Sequence, residues 1–219
     1  TMPISGNGTD ASLIRLKVGV PDADPRSAMA PLCQHVGSRR RFLARCFGDQ
    51  QSFGTNPQVR GFSLEADDYT CPKPLRSVFG AVQRCLDFNT ENIEADVVHC
   101  HTWYSHFGGI LAKLNYGIPL VITVHSLEPL RPWKREQLGG GYDFTVWLEK
   151  TALEMADAVI AVSKGTKADV ERLFQIKPER LHVIYNGIDL DEYRPTAATD
   201  ALVRCGTDPK RPYLLFVGR

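Results

Sequence analysis

From about residue 95 onward, short apolar runs alternate with segments of helical periodicity, and this alternation constrains the fold more than any other feature. Four apolar runs are predicted strands: 96–100, 119–125, 158–162 and 181–185. The segments between them are predicted helices: 105–116, 144–156 and 166–174. Strands joined by helices at this spacing require crossover connections and therefore a parallel sheet. Because the strands show no polar alternation, we expect a doubly wound α/β domain with helices on both faces of the sheet.

Local signals support these elements. Gly117 follows the helix 105–116 at the position where a left-handed residue ends a helix. Ser163 precedes the helix 166–174 and is a good N-cap. Upstream, we predict a helix at 75–88 and an edge strand at 45–48.

The two ends of the chain do not continue the pattern. Residues 1–44 are rich in Pro, Arg, Gly and Ser and contain no clear strand–helix pair, although the alternating run 13–20 is compatible with a strand. We therefore expect residues 1–44 to be an atypical, poorly ordered segment that leaves a central position of the sheet empty. Residues 45–195 form the predicted domain. Residues 196–219 are predicted to be a linker followed, from Tyr213, by the first strand of a truncated second domain.

Composition excludes several classes of protein. With 219 residues, 43% of them hydrophobic, the chain is able to bury a substantial core. A net charge of +1 does not favour binding to nucleic acid or to a membrane surface. No apolar run approaches the ~18 residues of a membrane-spanning helix. The six cysteines form no CxxC pair, so we interpret them as buried thiols of a cytoplasmic protein.

Polar residues cluster where three predicted strands end. These are the stretches "HCHTWY" (99–104), His125 with the loop behind it, and "YNGIDLDEY" (185–193). In a parallel sheet the carboxyl ends share one edge, where ligands bind. We therefore expect His125 at the rim of a cleft, with residues 139–141, three consecutive glycines, as a mobile loop that closely approaches a ligand.

Each of these features also has a simpler interpretation. His99 and His101 resemble a metal-binding pair, but no third ligand stands out and the pair is compatible with simple packing. A histidine at a strand end, such as His125, is often a hydrogen-bonded structural residue. The glycines are compatible with an ordinary loop, and residues 186–187 with a turn. Glu149, inside a predicted helix, is typical of a solvated or capping residue.

Three longer segments resemble a known family. They are "DVVHCHTWYSHFGGILAKLNYGIPLVITVHSLEPLRPWKREQLGGGY", "WLEKTALEMADAVIAVSKGTKADV" and "RLHVIYNGIDLDEYRP". They resemble the N-terminal domain of two-domain retaining glycosyltransferases of family 4. The resemblance is strongest to the short actinobacterial-type glycogen synthases, also described as alpha-maltose-1-phosphate synthases. It covers about residues 45–219 and is most specific at "HSLEPLRPWKREQLGGGY".

The resemblance implies a GT-B fold, in which a sugar nucleotide is held between two Rossmann-like domains. It implies transfer of glucose from ADP-glucose to an alpha-glucan or to glucose 1-phosphate, as in glycogen biosynthesis, without a cofactor or metal. His125 is the implied catalytic residue and contacts the transferred glucose. The implied acceptor-binding residues are His101, Trp103, Tyr104, Arg131, Trp133, Lys134 and Gln137. The implied donor-side residues near the hinge are Asn186, Gly187 and Asp189.

The sequence departs from the family at both ends. Residues 1–44 lack the glycine-rich loop of the first strand, as though they came from a shifted reading frame, and we expect the donor-binding domain to be missing. We therefore expect a fragment that is inactive alone, with a separately encoded C-terminal half as a partner. Two alternatives stay open: a non-catalytic sugar- or sugar-phosphate-binding module, and a metal-dependent hydrolase that uses His99 and His101.

Overall fold

A computed structural model gives the structure of the protein. It describes residues 12–17, 41–47, 59–62, 71–90, 93, 95–187, 190–191, 194–195, 197–214 and 216. The chain divides into two compact units, residues 1–185 and 186–219. Within the described residues, no helix combines the length and apolarity needed to cross a membrane.

The first unit is built on a seven-stranded parallel sheet. Its strands are β1 (Ser12–Lys17), β2 (Arg41–Phe47), β3 (Val59–Phe62), β4 (Val97–His101), β5 (Leu120–Val124), β6 (Ala158–Ala161) and β7 (Leu181–Val183). Their order is β3-β2-β1-β4-β5-β6-β7. The chain therefore starts in the middle and winds outward in both directions, which confirms the predicted doubly wound α/β fold.

The centre of the sheet differs from expectation. β1 pairs in parallel with both β2 and β4, so the central position that we expected to be empty is filled. β2 is not an edge strand as predicted, because β3 pairs with its other side. It also begins at Arg41, ahead of the predicted domain boundary at residue 45. Arginines at 41 and 45 interrupt its apolar run, which is why hydrophobicity alone located it poorly.

Six helices are described. They are α1 (Arg76–Asp87), α2 (Trp103–Tyr116), α3 (Lys134–Leu138), α4 (Gly140–Met155), α5 (Lys164–Leu173) and α6 (Asp200–Arg204). Two predicted end signals are confirmed: Gly117 has φ 69° at the end of α2, and the Ser163 hydroxyl accepts the Thr166 N–H at 3.0 Å. The glycines predicted to form a mobile loop mostly do not, since Gly140 and Gly141 form the first turn of α4. A Cβ on Gly141 would lie 3.0 Å from Val78 of α1, so this glycine permits close helix packing.

Helix α2 reaches the sheet through its small residues. Ser105, Gly108, Gly109 and Ala112 are buried, whereas the larger apolar side chain of Leu114 is 65% exposed. A Cβ on Gly109 would lie 2.4 Å from Cys100 Sγ of β4. The helix is therefore held close against β4, and this places its first turn beside the carboxyl end of that strand.

The second unit contains one described helix, α6, within the segment predicted to be a linker. Tyr213, Leu214 and Phe216 are exposed and are not in a strand, so the strand predicted from Tyr213 is not formed at those positions. A strand needs a partner for its backbone groups, and the described residues of this unit include no strand. Residues 215 and 217–219 lie outside the described part of the chain.

Candidate functional site

Two histidines meet at the carboxyl edge of the sheet. His101 is the last residue of β4 and pairs in register with Thr123 of β5, so His125 follows one residue after the end of the neighbouring strand. His101 Nδ1 lies 2.9 Å from His125 Nε2, and the two rings are stacked. His101 is buried and His125 is exposed. The strand ends therefore hold His125 at a rim with His101 behind it, as the sequence predicted for His125.

The third histidine of the cluster is tied to the sheet. His99 Nε2 lies 2.7 Å from the Thr123 hydroxyl, and its ring centroid is 4.4 Å from that of His101. Within the residues whose side chains are described, no group of three or more His, Cys, Asp or Glu side chains is arranged to hold a metal ion. His99 is hydrogen-bonded to Thr123 and packs against the ring of His101.

The turn between β4 and α2 is strained. Thr102 has φ 64° and ψ 155°, a conformation that residues other than glycine rarely adopt. The buried Ser105 hydroxyl stabilises this turn, because it accepts the His101 N–H at 3.2 Å and donates to the His101 carbonyl at 2.9 Å. Strained backbone is often found at functional sites. Here it directs the chain from His101 straight into α2.

Trp103 and Tyr104, the first residues of α2, stack with ring centroids 4.1 Å apart. Trp103 is 3% exposed and belongs to the hydrophobic core, although its indole N–H has no hydrogen-bond partner among the described residues. Burial and the negative charge of Glu128 both raise the pKa of Tyr104, while Arg131 opposes the rise. Tyr104 therefore lies near the segment that follows β5. The loops after β4 and β5 converge, as predicted.

The segment after β5 is organised by a residue that the sequence analysis missed. Glu128 is 2% exposed, and its carboxylate accepts Lys134 Nζ at 2.7 Å and the Thr145 hydroxyl at 3.2 Å. Arg131 Nη1 lies 3.7 Å from the same carboxylate. Lys134 and Arg131, predicted to bind the acceptor, are thus placed by an internal carboxylate. Of the two, Arg131 is more exposed, at 39% against 13% for Lys134.

Glu149 of α4 contacts the same segment from inside the fold. It is buried, and its Oε2 accepts the Glu128 N–H at 2.7 Å, so it is not the solvated residue that the sequence allowed. Burial raises the pKa of Glu149 to about 8, and the Glu128 carboxylate adds to this rise. The signal in the sequence was that the apolar residues Leu148 and Ala152 lie close to Glu149 on the same helix, and both are buried. A glutamate considered without these neighbours looks solvent-exposed.

The remaining predicted residues lie apart from this cluster. Trp133 and Gln137, at the start of and within α3, are both exposed. Asn186 and Gly187 are exposed and belong to the second unit, and Asp189 lies outside the described residues. The structure thus brings together His101, Tyr104, His125, Arg131 and Lys134 at one sheet edge.

Comparison with known proteins identifies relatives. The sequence model for Glycosyltransferase Family 4 matches residues 42–192. The alpha-maltose-1-phosphate synthase of Mycolicibacterium smegmatis is 54% identical over 129 residues, which is 57% of this chain and 33% of that protein. The D-inositol 3-phosphate glycosyltransferase of Thermobispora bispora is 33% identical over 159 residues, or 71% of this chain and 36% of that protein. The chain spans about a third of the length of these curated relatives.

Solved structures share the fold. The sucrose-phosphate synthase of Thermosynechococcus elongatus superposes with a TM-score of 0.64 at 19% identity, covering 92% of this chain and 54% of that one. The Anabaena protein HepE, in complex with UDP and glucose, superposes with a TM-score of 0.60 at 16% identity, covering 90% and 50%. At these identities the likeness concerns the fold alone.

Proposed function

Because the chain belongs to glycosyltransferase family 4, we propose that its first unit is the acceptor-side domain of a retaining glucosyltransferase. The proposed reaction transfers glucose from ADP-glucose to an alpha-glucan or to glucose 1-phosphate. The identity of 54% to an alpha-maltose-1-phosphate synthase supports this choice within the family. A nucleotide-sugar donor is also supported by HepE, whose structures contain UDP with glucose or UDP-glucose.

The observation that carries the proposal is the His101–His125 pair, 2.9 Å apart at the carboxyl edge of the sheet. Cleavage of a glucose–diphosphate bond produces an oxocarbenium-like sugar, whose hydroxyl groups must be held while charge develops. His125 is exposed at the edge where ligands of such sheets bind.

The acceptor is proposed to lie over the segment 125–138. Arg131 is the more exposed of its two central cations and suits a phosphate or sugar oxygen. Trp133 is exposed and offers an aromatic face to a sugar ring. Gln137 is exposed on the same short helix, α3. These side chains give the proposed acceptor site a charged part and an apolar part.

The proposal extends to partners and location. We propose that the nucleotide binds a second domain, since the chain spans about a third of the length of its curated relatives, and that no cofactor or metal is part of the reaction. A cytoplasmic location is proposed because Cys85 and Cys100 are buried free thiols, as is common in reducing compartments.

The test is calorimetric titration of the chain with glucose 1-phosphate and with maltodextrin, beside an assay for ADP release from ADP-glucose. We expect binding of one acceptor without ADP release by the chain alone, and ADP release when a C-terminal half from the M. smegmatis relative is added. Acceptor binding without release in either mixture favours the sugar-binding module instead. Failure to bind either acceptor contradicts the proposed acceptor side.

A further inference from the structure

Three residues on one face of α4 form hydrogen bonds with Glu128, a residue of the segment 125–138. Tyr142, Thr145 and Glu149 are spaced by three and four positions, so they lie on one side of the helix, and all three are buried. The Tyr142 hydroxyl donates to the Glu128 carbonyl at 2.9 Å, and the Thr145 hydroxyl donates to its carboxylate. Glu149 accepts its N–H. Glu128 is therefore fixed at its backbone and its side chain by the same helix.

Glu128 in turn holds two cationic side chains, Arg131 and Lys134. Its carboxylate receives Lys134 at 2.7 Å and has Arg131 3.7 Å away. A buried carboxylate requires such partners, because an unpaired charge in the interior is costly. The conformation of Arg131 and Lys134 thus depends on where Glu128 is held, and the contact from Glu149 is one of the shortest that holds it.

We propose that Glu149 is a positioning residue that, by holding Glu128, fixes Arg131 and Lys134 to receive the anionic group of a ligand. The inference rests on the proposed function, because it assigns Glu149 a part in acceptor binding. It goes beyond that function because it makes the placement of the two cations depend on a buried carboxyl group that does not itself contact the acceptor.

The charges around Glu149 give the proposal a measurable signature. The charged and titratable groups that face it are Glu128, Arg131, Lys134 and Tyr142. Burial, first, and then Glu128 keep Glu149 neutral up to about pH 8. One carboxylate then stands against two cations, and the group carries a net charge of +1. Ionisation of Glu149 cancels that charge, so an anion binds less well and the folded loop loses stability as the pH rises through about 8.

The first experiment needs no ligand. Hydrogen exchange of the amides of residues 126–134 is measured at pH 7 and pH 9.5 and expressed as protection relative to intrinsic exchange. We expect about tenfold loss of protection in the wild type between these pH values and little loss in Glu149→Gln, whose amide oxygen still accepts the Glu128 N–H. Glu149→Ala is expected to lose protection at both pH values. Unchanged protection in Glu149→Ala at pH 7 overturns the positioning role whether or not any ligand binds.

The second experiment uses glucose 1-phosphate as the probe, titrated into the chain at pH 7 and pH 9.5 in two buffers of different ionisation enthalpy. We expect the affinity of the wild type to fall about tenfold, with proton uptake on binding near pH 8.5, and the affinity of Glu149→Gln to fall less than about threefold, without uptake. Glu154→Gln, which makes the same change on the same helix, is the control and should follow the wild type. Identical profiles for wild type and Glu149→Gln overturn the proposal. Absence of binding at every pH contradicts the acceptor function, while the exchange experiment still decides the positioning role.

Discussion

His101 Nδ1 and His125 Nε2 lie 2.9 Å apart, which joins a buried imidazole to an exposed one across two neighbouring strands. One of these nitrogens must donate and the other accept, so the pair holds at most one proton between these atoms. The contact fixes the orientation of the exposed ring. Loss of the exposed ring should therefore affect the reacting sugar more than the rest of the site.

The first prediction concerns His125. In a full-length enzyme that carries this sequence, His125→Ala should lower turnover by about 10²-fold or more, while acceptor affinity changes less than about threefold. Steady-state kinetics and acceptor titration measure the two effects. His182→Ala, at an exposed histidine of β7, is the matched control and should leave both unchanged. An equal loss of turnover and acceptor affinity would show that His125 either contacts the acceptor or has only a structural role.

The second prediction concerns the strained turn. Thr102 combines φ 64° with a hydroxyl that is buried without a partner among the described residues. Thr102→Gly removes both, and Thr102→Ala removes the hydroxyl alone. We expect the free energy of unfolding of the glycine variant to exceed that of the alanine variant by about 1 kcal/mol. The reason is that the strain relieved by glycine at this φ is larger than the extra conformational entropy that glycine loses on folding. Denaturant unfolding of the three chains measures the difference. An alanine variant as stable as the glycine variant contradicts strain at this residue.

The third prediction concerns the contact between α2 and the sheet. A Cβ on Gly109 would meet Cys100 Sγ at 2.4 Å and Leu120 Cδ1 at 2.7 Å, and both neighbours are buried. Gly109→Ala should therefore lower the free energy of unfolding by about 1–3 kcal/mol. Gly165→Ala, in the first turn of α5, has its nearest neighbour 3.7 Å away and should be neutral or slightly stabilising. If both variants unfold at the same denaturant concentration, the close approach is absent.

The sequence predicted four strands and three helices between residues 95 and 185 because their apolar runs end in clear signals, but it did not predict α3 or α6. Gly117 and Ser163 are such signals, and both act as predicted. It located β1 and β2 poorly, because charged residues interrupt their apolar pattern and their places in the sheet depend on pairing with other strands. Hydrophobicity alone would bury Leu114, but Leu114 is exposed and Gly109 packs against the sheet.

The histidine pair could be predicted for a similar reason, since the carboxyl ends of parallel strands necessarily lie together. The roles of Glu128 and Glu149 could not. Their hydrogen bond joins residues 21 positions apart, and a charged side chain in sequence looks solvent-exposed until its burial is known. For the same reason the pairing of Lys134 with Glu128 could not be predicted from the sequence.

The last prediction concerns His106, which is fully buried in α2 and whose ring nitrogens both lack hydrogen-bond partners within the described part of the chain. Burial lowers the pKa of His106 to about 3. Below about pH 6.5 the unfolded chain takes up a proton that the folded chain excludes, so this residue's contribution to stability is present above that pH and is lost as the pH falls toward 3. His106→Leu removes this dependence. Relative to the variant, we expect the wild type to lose about 2 kcal/mol of unfolding free energy between pH 7 and pH 5.

Glu149 has the opposite effect, because its neutral form makes folding more favourable at low pH. Wild type and His106→Leu both contain Glu149, so its effect cancels when their unfolding free energies are subtracted. Denaturant unfolding at several pH values measures it, with His182→Leu as the control at an exposed histidine. Parallel curves for wild type and His106→Leu would mean that His106 is not held neutral in the core.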